Sequence, residues 1–301
     1  MSEVGPSRRR WRRISIVLVV LGLLLSIGVA LFIYVAGGAL GLEPPVVDRV
    51  PPVLSAKLGQ AELTVLLFSK TSGYRHEAAI RAAERSLRAL AKQHGWDLFA
   101  TENAAVFNDE QLARFDVVFA NNTTGDNWTA EQKQAFQRFV ARGGGVVGVH
   151  GALGTRQRYW DWYTDSLLLG RFVGHPLAPQ LQEAAVQVVD LDHPATRHLP
   201  RRWMRTDEWY SFEGSARDLG AHVLATLDES SYEPEAFFQD LRMGDHPIIW
   251  AHCPGRGRAF YSALGHSAEA YADEAHQQML RGAIVWAAKR EGGCPSPPPS
   301  S

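Results

Sequence analysis

Residues 116–152 read DVVFANNTTGDNWTAEQKQAFQRFVARGGGVVGVHGA. Asp116–Asn121 is a short apolar run and fits a buried strand. Thr129 with Gln132 has the spacing of a capping box, which starts a helix that runs to Gly143. Gly145–Val149 is a second apolar run. Strand, helix and strand within so few residues describe a parallel crossover. The pattern extends upstream. Leu63–Phe68 reads as a strand, and residues 77–93 place Ile80, Ala83, Leu87, Leu90 and Ala91 on one helical face. His94-Gly95 stops that helix. Trp96–Ala100 gives a further strand, and Asn108 opens a short helix over 108–114. Downstream the pattern is less regular, with strands expected near 183–190, 221–227, 247–252 and 258–263 and a closing helix from about 269 to 290. The fold class is therefore α/β: a doubly wound, mostly parallel sheet flanked by helices.

This domain is preceded by an apolar stretch. From Ile14 to Leu42 the chain, ISIVLVVLGLLLSIGVALFIYVAGGALGL, has no charged residue. Roughly 20 apolar residues cross a bilayer, whereas a cleavable leader has an apolar region of about 7–15. Residues 14–36 are read as a transmembrane helix, with a long leader cleaved near Ala36-Gly37-Gly38-Ala39 as the alternative. Arg8, Arg9, Arg10, Arg12 and Arg13 precede the span, and positive charge stays on the cytoplasmic side. Residues 1–13 are then a cytoplasmic basic tail on a single-pass protein of the cell membrane, and the domain is extracytoplasmic. Residues 43–61, with EPPVVDRVPPVL, read as a Pro-rich linker that spaces the domain from the membrane. Residues 62–291 are the domain, and 292–301 (GGCPSPPPSS) a disordered tail.

Charge excludes one class of partner. The chain has 31 Lys and Arg against 32 Asp and Glu. Five Arg and Glu3 lie in residues 1–42, which leaves 26 basic and 31 acidic residues in 43–301. A nucleic-acid-binding protein shows the opposite balance. The two cysteines, Cys253 and Cys294, form no CxxC. An exported domain can pair them, but the position of Cys294 in the Pro/Ser tail favours a buried Cys253 and an untethered Cys294.

An open parallel sheet binds ligands beyond the carboxyl ends of its strands. The loops after the strands carry Arg75-His76, Asn121-Asn122, His150-Gly151 and Gly265-His266. Gly174-His175-Pro176 puts a further histidine in a turn, and Asp207-Glu208-Trp209-Tyr210 sets carboxylates beside aromatics. Histidines with a carboxylate can move protons near neutral pH or bind a divalent metal. No HExxH or other local spacing decides between these. The candidate catalytic residues are His76, His150, Glu208 and His266. Arg75, Asn122, Trp209 and Tyr210 are candidates for substrate binding, and His150, His175 and His266 for one divalent ion, zinc or similar. Trp160, Trp162 and Tyr163 are further candidates for stacking on a sugar, or else are packing residues.

These residues lie in KTSGYRHEAAI (70–80), GGGVVGVHGA (143–152), GRFVGHP (170–176), DHPATRHLP (192–200), TDEWYSF (206–212) and GRAFYSALGH (257–266). In that order they resemble the ThuA family, the trehalose-utilisation-type domain, over about 63–290. The resemblance implies a fold like that of class I glutamine amidotransferases. It also implies a role in carbohydrate catabolism, including that of 3-keto sugars, with a sugar or glycoside as the small-molecule partner. In glutamine amidotransferases a cysteine stands in the elbow after the equivalent strand; here His150 does. A thioester route needs a thiolate, so glutaminase activity is not expected. The open readings are a hydrolase, lyase or isomerase of carbohydrates, a non-catalytic sugar-binding or scaffold module, and a remnant of the fold that binds protein.

Overall fold

A computed structural model describes residues 8–39, 47–154, 160–236 and 239–294. Expectations that fall on residues 1–7, 40–46 and 295–301 lie outside these.

Helix α1 (Arg8–Ala39) contains the apolar segment. Ser15–Phe32 is long and apolar enough to cross a membrane, and none of it is buried against the rest of the chain. Its hydrogen bonds close within the helix, so such a segment can leave water.

The domain runs through β1 (Thr64–Phe68), α2 (Glu77–His94), β2 (Asp97–Thr101), α3 (Asp109–Leu112), β3 (Val117–Asn121), α4 (Ala130–Ala141) and β4 (Gly145–Val149). There follow β5 (Phe172–Gly174), β6 (Gln182–Val188), β7 (Arg202–Asp207), β8 (Ser211–Phe212) and β9 (His222–Leu227). The chain closes with β10 (Glu235–Ala236), β11 (Gln239–Asp240), β12 (Pro247–His252), β13 (Arg258–Ser262) and α5 (Glu274–Ala287).

Nine strands form one sheet in the order β2-β1-β3-β4-β13-β12-β9-β6-β7. From β2 to β13 every pairing is parallel. From β13 to β7 every pairing is antiparallel. Two successive reversals restore direction, so only β12 and β6 oppose the rest, and β7 ends at the same edge as β1, β3, β4 and β13. That edge carries the site.

Every residue of β1, β3, β4 and β13 is buried, as expected for strands covered on both faces. The predicted face of α2 is the buried one. Gly95, at φ 68°, ends that helix with its N–H donating to Ala91 O, a left-handed C-cap that suits glycine. Both bonds of the Thr129–Gln132 capping box form. A Cβ on Gly145 would lie 2.5 Å from Ala287 O, so its lack of a side chain lets α5 press onto β4.

Two expectations are corrected. Residues from Asp48 onward are not a loose spacer. Asp48 pairs with Lys70 and accepts the Ala104 N–H. Its carbonyl accepts from Gln132, that of Val50 from Asn103, and that of Pro52 from Gln111. Arg114 donates to Ser55 O and Leu58 O, and Asp97 accepts the N–H groups of Gly59, Gln60 and Ala61. Side chains of the domain thus satisfy the backbone of a segment that Pro keeps extended. Cys294 is not untethered either. It forms a disulfide with Cys253, with Cα atoms 6.1 Å apart. Arg258 holds the same segment by donating to Glu291 O and Gly292 O, and Trp286 Nε1–H donates to Gly293 O.

Candidate active site and metal centre

His76 stands at the start of α2, after the loop that leaves β1. Ser72 N–H donates to Thr124 O, and Thr124 Oγ1 donates to Tyr74 O. The β1 loop is thereby braced on the β3 loop. His150 follows β4 directly and has φ 44°, a left-handed conformation that is unusual for a residue with a side chain. Tyr261 O–H donates to His150 O, and Gly151 N–H donates to Asn122 Oδ1, which fixes the turn. Asn122 also has positive φ and donates to Tyr271 Oη. Asp207 sits at the end of β7. Its carboxylate accepts the N–H of Glu208 and those of Gly265 and His266, at 2.9–3.0 Å. One buried carboxylate therefore sets the β13 loop and Glu208 in register.

The side chains meet at Glu208. Its Oε2 lies 3.2 Å from His150 Nε2 and 3.1 Å from His266 Nδ1, and its Oε1 lies 3.1 Å from His175 Nδ1. Gln180 donates to Oε1 as well. His266 Nδ1 is 3.3 Å from His150 Nε2. The His76 ring meets the rings of His150 and His266 edge-on, with centroids 4.7 and 5.0 Å apart. One donor atom from each of His76, His150, Glu208 and His266 falls within 4.8 Å of the others. Glu208 is 1% exposed, His150 is fully buried and His76 is 6% exposed. The side chains of His266 and His175 are more open and mark the approach.

The hydrogen-bond roles constrain the charge. His150 Nδ1 lies 2.7 Å from Ala263 O. A carbonyl only accepts, so Nδ1 bears the proton. Nε2 then faces the Glu208 carboxylate, and two lone pairs at that distance repel. A positive species belongs between them: a second proton on the ring, or a metal cation. Burial pushes Glu208 up, but hydrogen bonds from His150 and His266 and the charges of His150 and His175 outweigh it and hold the carboxyl well below its usual range. Burial likewise lowers His266, yet the hydrogen bond and charge of Glu208, with Asp207 behind it, raise it above an ordinary histidine. His76 is driven down to about 2 by burial and by the adjacent His150 and His266.

The donor set suits a divalent transition metal: three imidazoles and one carboxylate. The orphaned buried Nδ1 of His76 and the backbone-anchored Nδ1–H of His150 fit it too, since a ligating histidine usually gives its other N–H to such an acceptor.

Other expected site residues fall differently. His175 lies against the far oxygen of Glu208, outside the group of four. Arg75 is turned to Glu77 and Glu102 in ion pairs and does not point its charge into the centre. Asn122 is wholly buried and spends its amide on the turn. Trp209 is a core residue whose Nε1–H donates to Gln182 O. Tyr210 is buried beneath His150, with ring centroids 4.1 Å apart, and serves as a wall. Trp160, Trp162 and Tyr163 pack with Trp128 and Phe136. Sequence reading missed Gln180, whose loop has no regular pattern, and the bracing role of Asp207. The adjacency of Asp207 to Glu208 was the available signal.

Comparison with known proteins agrees with this architecture. The family model described as ThuA, trehalose utilisation, matches residues 64–287. A ThuA-like protein from Bacteroides uniformis is similar in structure, with TM-score 0.65 and 25% identity over 79% of this chain and 95% of that one. A ThuA-like protein from Parabacteroides merdae gives TM-score 0.59 and 19% identity over 78% and 93%. Among curated proteins nothing matches. With the strand-end histidines and Glu208 carried on the matched segment, the chain belongs to the ThuA family.

Proposed function

We propose that this chain is a membrane-anchored, extracytoplasmic enzyme that moves protons on a sugar, a 3-keto sugar or related glycoside, through its His/Glu centre. The observation that carries the reading is the convergence of His76, His150, Glu208 and His266 within 4.8 Å in a nearly dry setting. The α-proton of a keto sugar is acidic enough for one base to remove. A proton shared among His150 Nε2, His266 Nδ1 and Glu208 Oε2 can pass to or from a substrate at the open side. Glu208 stays ionised and steadies the charged form of His266. Asp207 holds the two in place. A divalent cation held by the four donors would supply polarisation of a substrate carbonyl or hydroxyl.

Glutaminase chemistry does not suit this centre. The elbow position holds His150, and both cysteines are consumed by the disulfide. The disulfide also supports an oxidising compartment, in line with the arginines that precede the apolar span and a domain beyond the membrane.

The test is exchange of the hydrogen α to the carbonyl when the purified full chain meets 3-keto sugars in D2O, followed by NMR. Exchange by the native chain, reduced about 100-fold or more in His150→Gln and in Glu208→Gln, is expected. If the native chain gives no exchange, or His150→Gln retains it, the enzymatic reading falls and a binding role replaces it. Metal content after dialysis against zinc, compared between the native chain and His150→Gln, tests the cation separately.

A further inference from the structure

The segment from Asp48 to Ala61 enters the domain at one edge and leaves it at the other. Asp48 is held by Lys70, just past β1, and by the Ala104 N–H, just past β2. These are carboxyl-edge positions. Gly59–Ala61 are held by Asp97, the first residue of β2, which is at the amino edge. The strap therefore runs antiparallel to β1, and the chain coming from α1 arrives at the edge that carries the His/Glu centre.

The tether above it is short. Nine residue steps separate Ala39, the last residue of α1, from Asp48, and they reach at most about 32 Å. A domain of about 230 residues has a diameter of roughly 45 Å. The tether is shorter than that, so the amino edge is the one held away from the end of α1.

Exposed apolar residues stand on the loops that carry the site. Tyr74, whose ring meets that of His76 edge-on at 4.8 Å, is 53% exposed. Leu177 and Leu181 are each 42% exposed. They flank the loop whose His175 and Gln180 touch Glu208. Exposed aromatic and aliphatic side chains on loops at one edge of a sheet are the kind that settle into the headgroup boundary of a bilayer.

We propose that the strap turns the carboxyl edge toward the membrane that holds α1, and that Tyr74, Leu177 and Leu181 rest in its lipid surface, so that the site works on sugars presented at that surface. The proposal depends on the reading of α1 as a membrane span. The occupant of the apolar rim is the bilayer itself, to which the chain is already joined.

The full chain in nanodiscs, with an environment-sensitive fluorophore on a single introduced cysteine, tests this. Leu177→Cys and Leu181→Cys report the rim, Glu62→Cys the amino edge and Leu24→Cys the span. Shallow brominated lipid should quench the rim probes at least about twofold more than the Glu62 probe. Equal quenching at rim and amino edge, or none at the rim, overturns the proposal. Quenching at Leu24 by deep brominated lipid reports the span independently. Its loss would mean that the anchor reading has failed, whereas its presence with a dry rim refutes the orientation alone.

Discussion

The disulfide allows a stability effect to be worked out in full. Replacing Cys253 with Ser opens a covalent loop in which the partners are 41 residues apart. On the chain-entropy account, a loop of about 40 residues restricts the unfolded chain by about 13 cal/mol/K, which is about 4 kcal/mol at room temperature. One effect reduces this. Without the bond, the native segment around Cys294 retains what Arg258, Trp286 and Arg197 give it through Glu291, Gly292 and Gly293, but the chain beyond Gly293 regains freedom in the folded state as well. The expected loss is therefore about 2–4 kcal/mol, or a fall in Tm of about 10 °C for a domain of this size. Urea and thermal melts of the full chain in detergent measure it, with Cys294→Ser and the double variant beside Cys253→Ser. The two single variants should agree, and the double should equal either, because one bond is lost in each. A loss below about 1 kcal/mol, or singles that add in the double variant, would mean that the bond does not stabilise the domain by closing this loop.

Acid should weaken the fold through buried histidines away from the site. Burial holds His193 down to about 4 and His276 down to about 3. The unfolded chain then binds more protons between pH 6.5 and those values, and stability falls as pH drops through that window, by about 1.4 kcal/mol per unit for each histidine. Urea midpoints at pH 7 and pH 5 measure the slope. His276→Leu should flatten it without costing a hydrogen bond, since neither ring nitrogen has a partner. Gly282→Ala should destabilise the domain by about 1–3 kcal/mol, because its Cβ would lie 2.1 Å from Pro194 O; an unchanged melt would show that the loop yields freely. Ammonia release from glutamine should be undetectable, and release that His150→Ala abolishes would point to a different nucleophile.

The parallel half of the fold was readable because its signals are local. The Thr129 capping box, the Gly95 stop and the apolar runs of β1, β3 and β4 need no partner to be recognised. β7 was missed because RWMRTD alternates exposed and buried positions at the sheet's edge, leaving no apolar run. Its direction brings Glu208 to the edge where His76, His150 and His266 follow other strands, and only the four antiparallel pairings from β13 to β7 explain that. The strap and the Cys294 segment were misread for one shared reason. Pro, Ser and Gly composition indicates an extended backbone, but says nothing of whether distant side chains such as Arg114, Gln111 or Arg258 will claim its carbonyls. Trp209 and the residues from Trp160 to Tyr163 have the composition of a sugar platform and the burial of a core, and a sequence does not distinguish the two. DHPATRHLP, prominent as a motif, takes a packing role: Pro194 and Ala195 press on α5 at Gly282.

The direction in which the strap lies on the domain also determines how the molecule would bear tension. A pull transmitted from α1 acts first on Asp48 and runs nearly along the strap. Its contacts with Lys70, Ala104, Asn103, Gln111, Gln132 and Arg114 would then be strained together rather than opened one at a time. Bonds that share strain in this way resist far more force than the same bonds peeled in sequence. The strap would act as a buffer, keeping a pull on α1 from reaching β1 and the histidine that follows it.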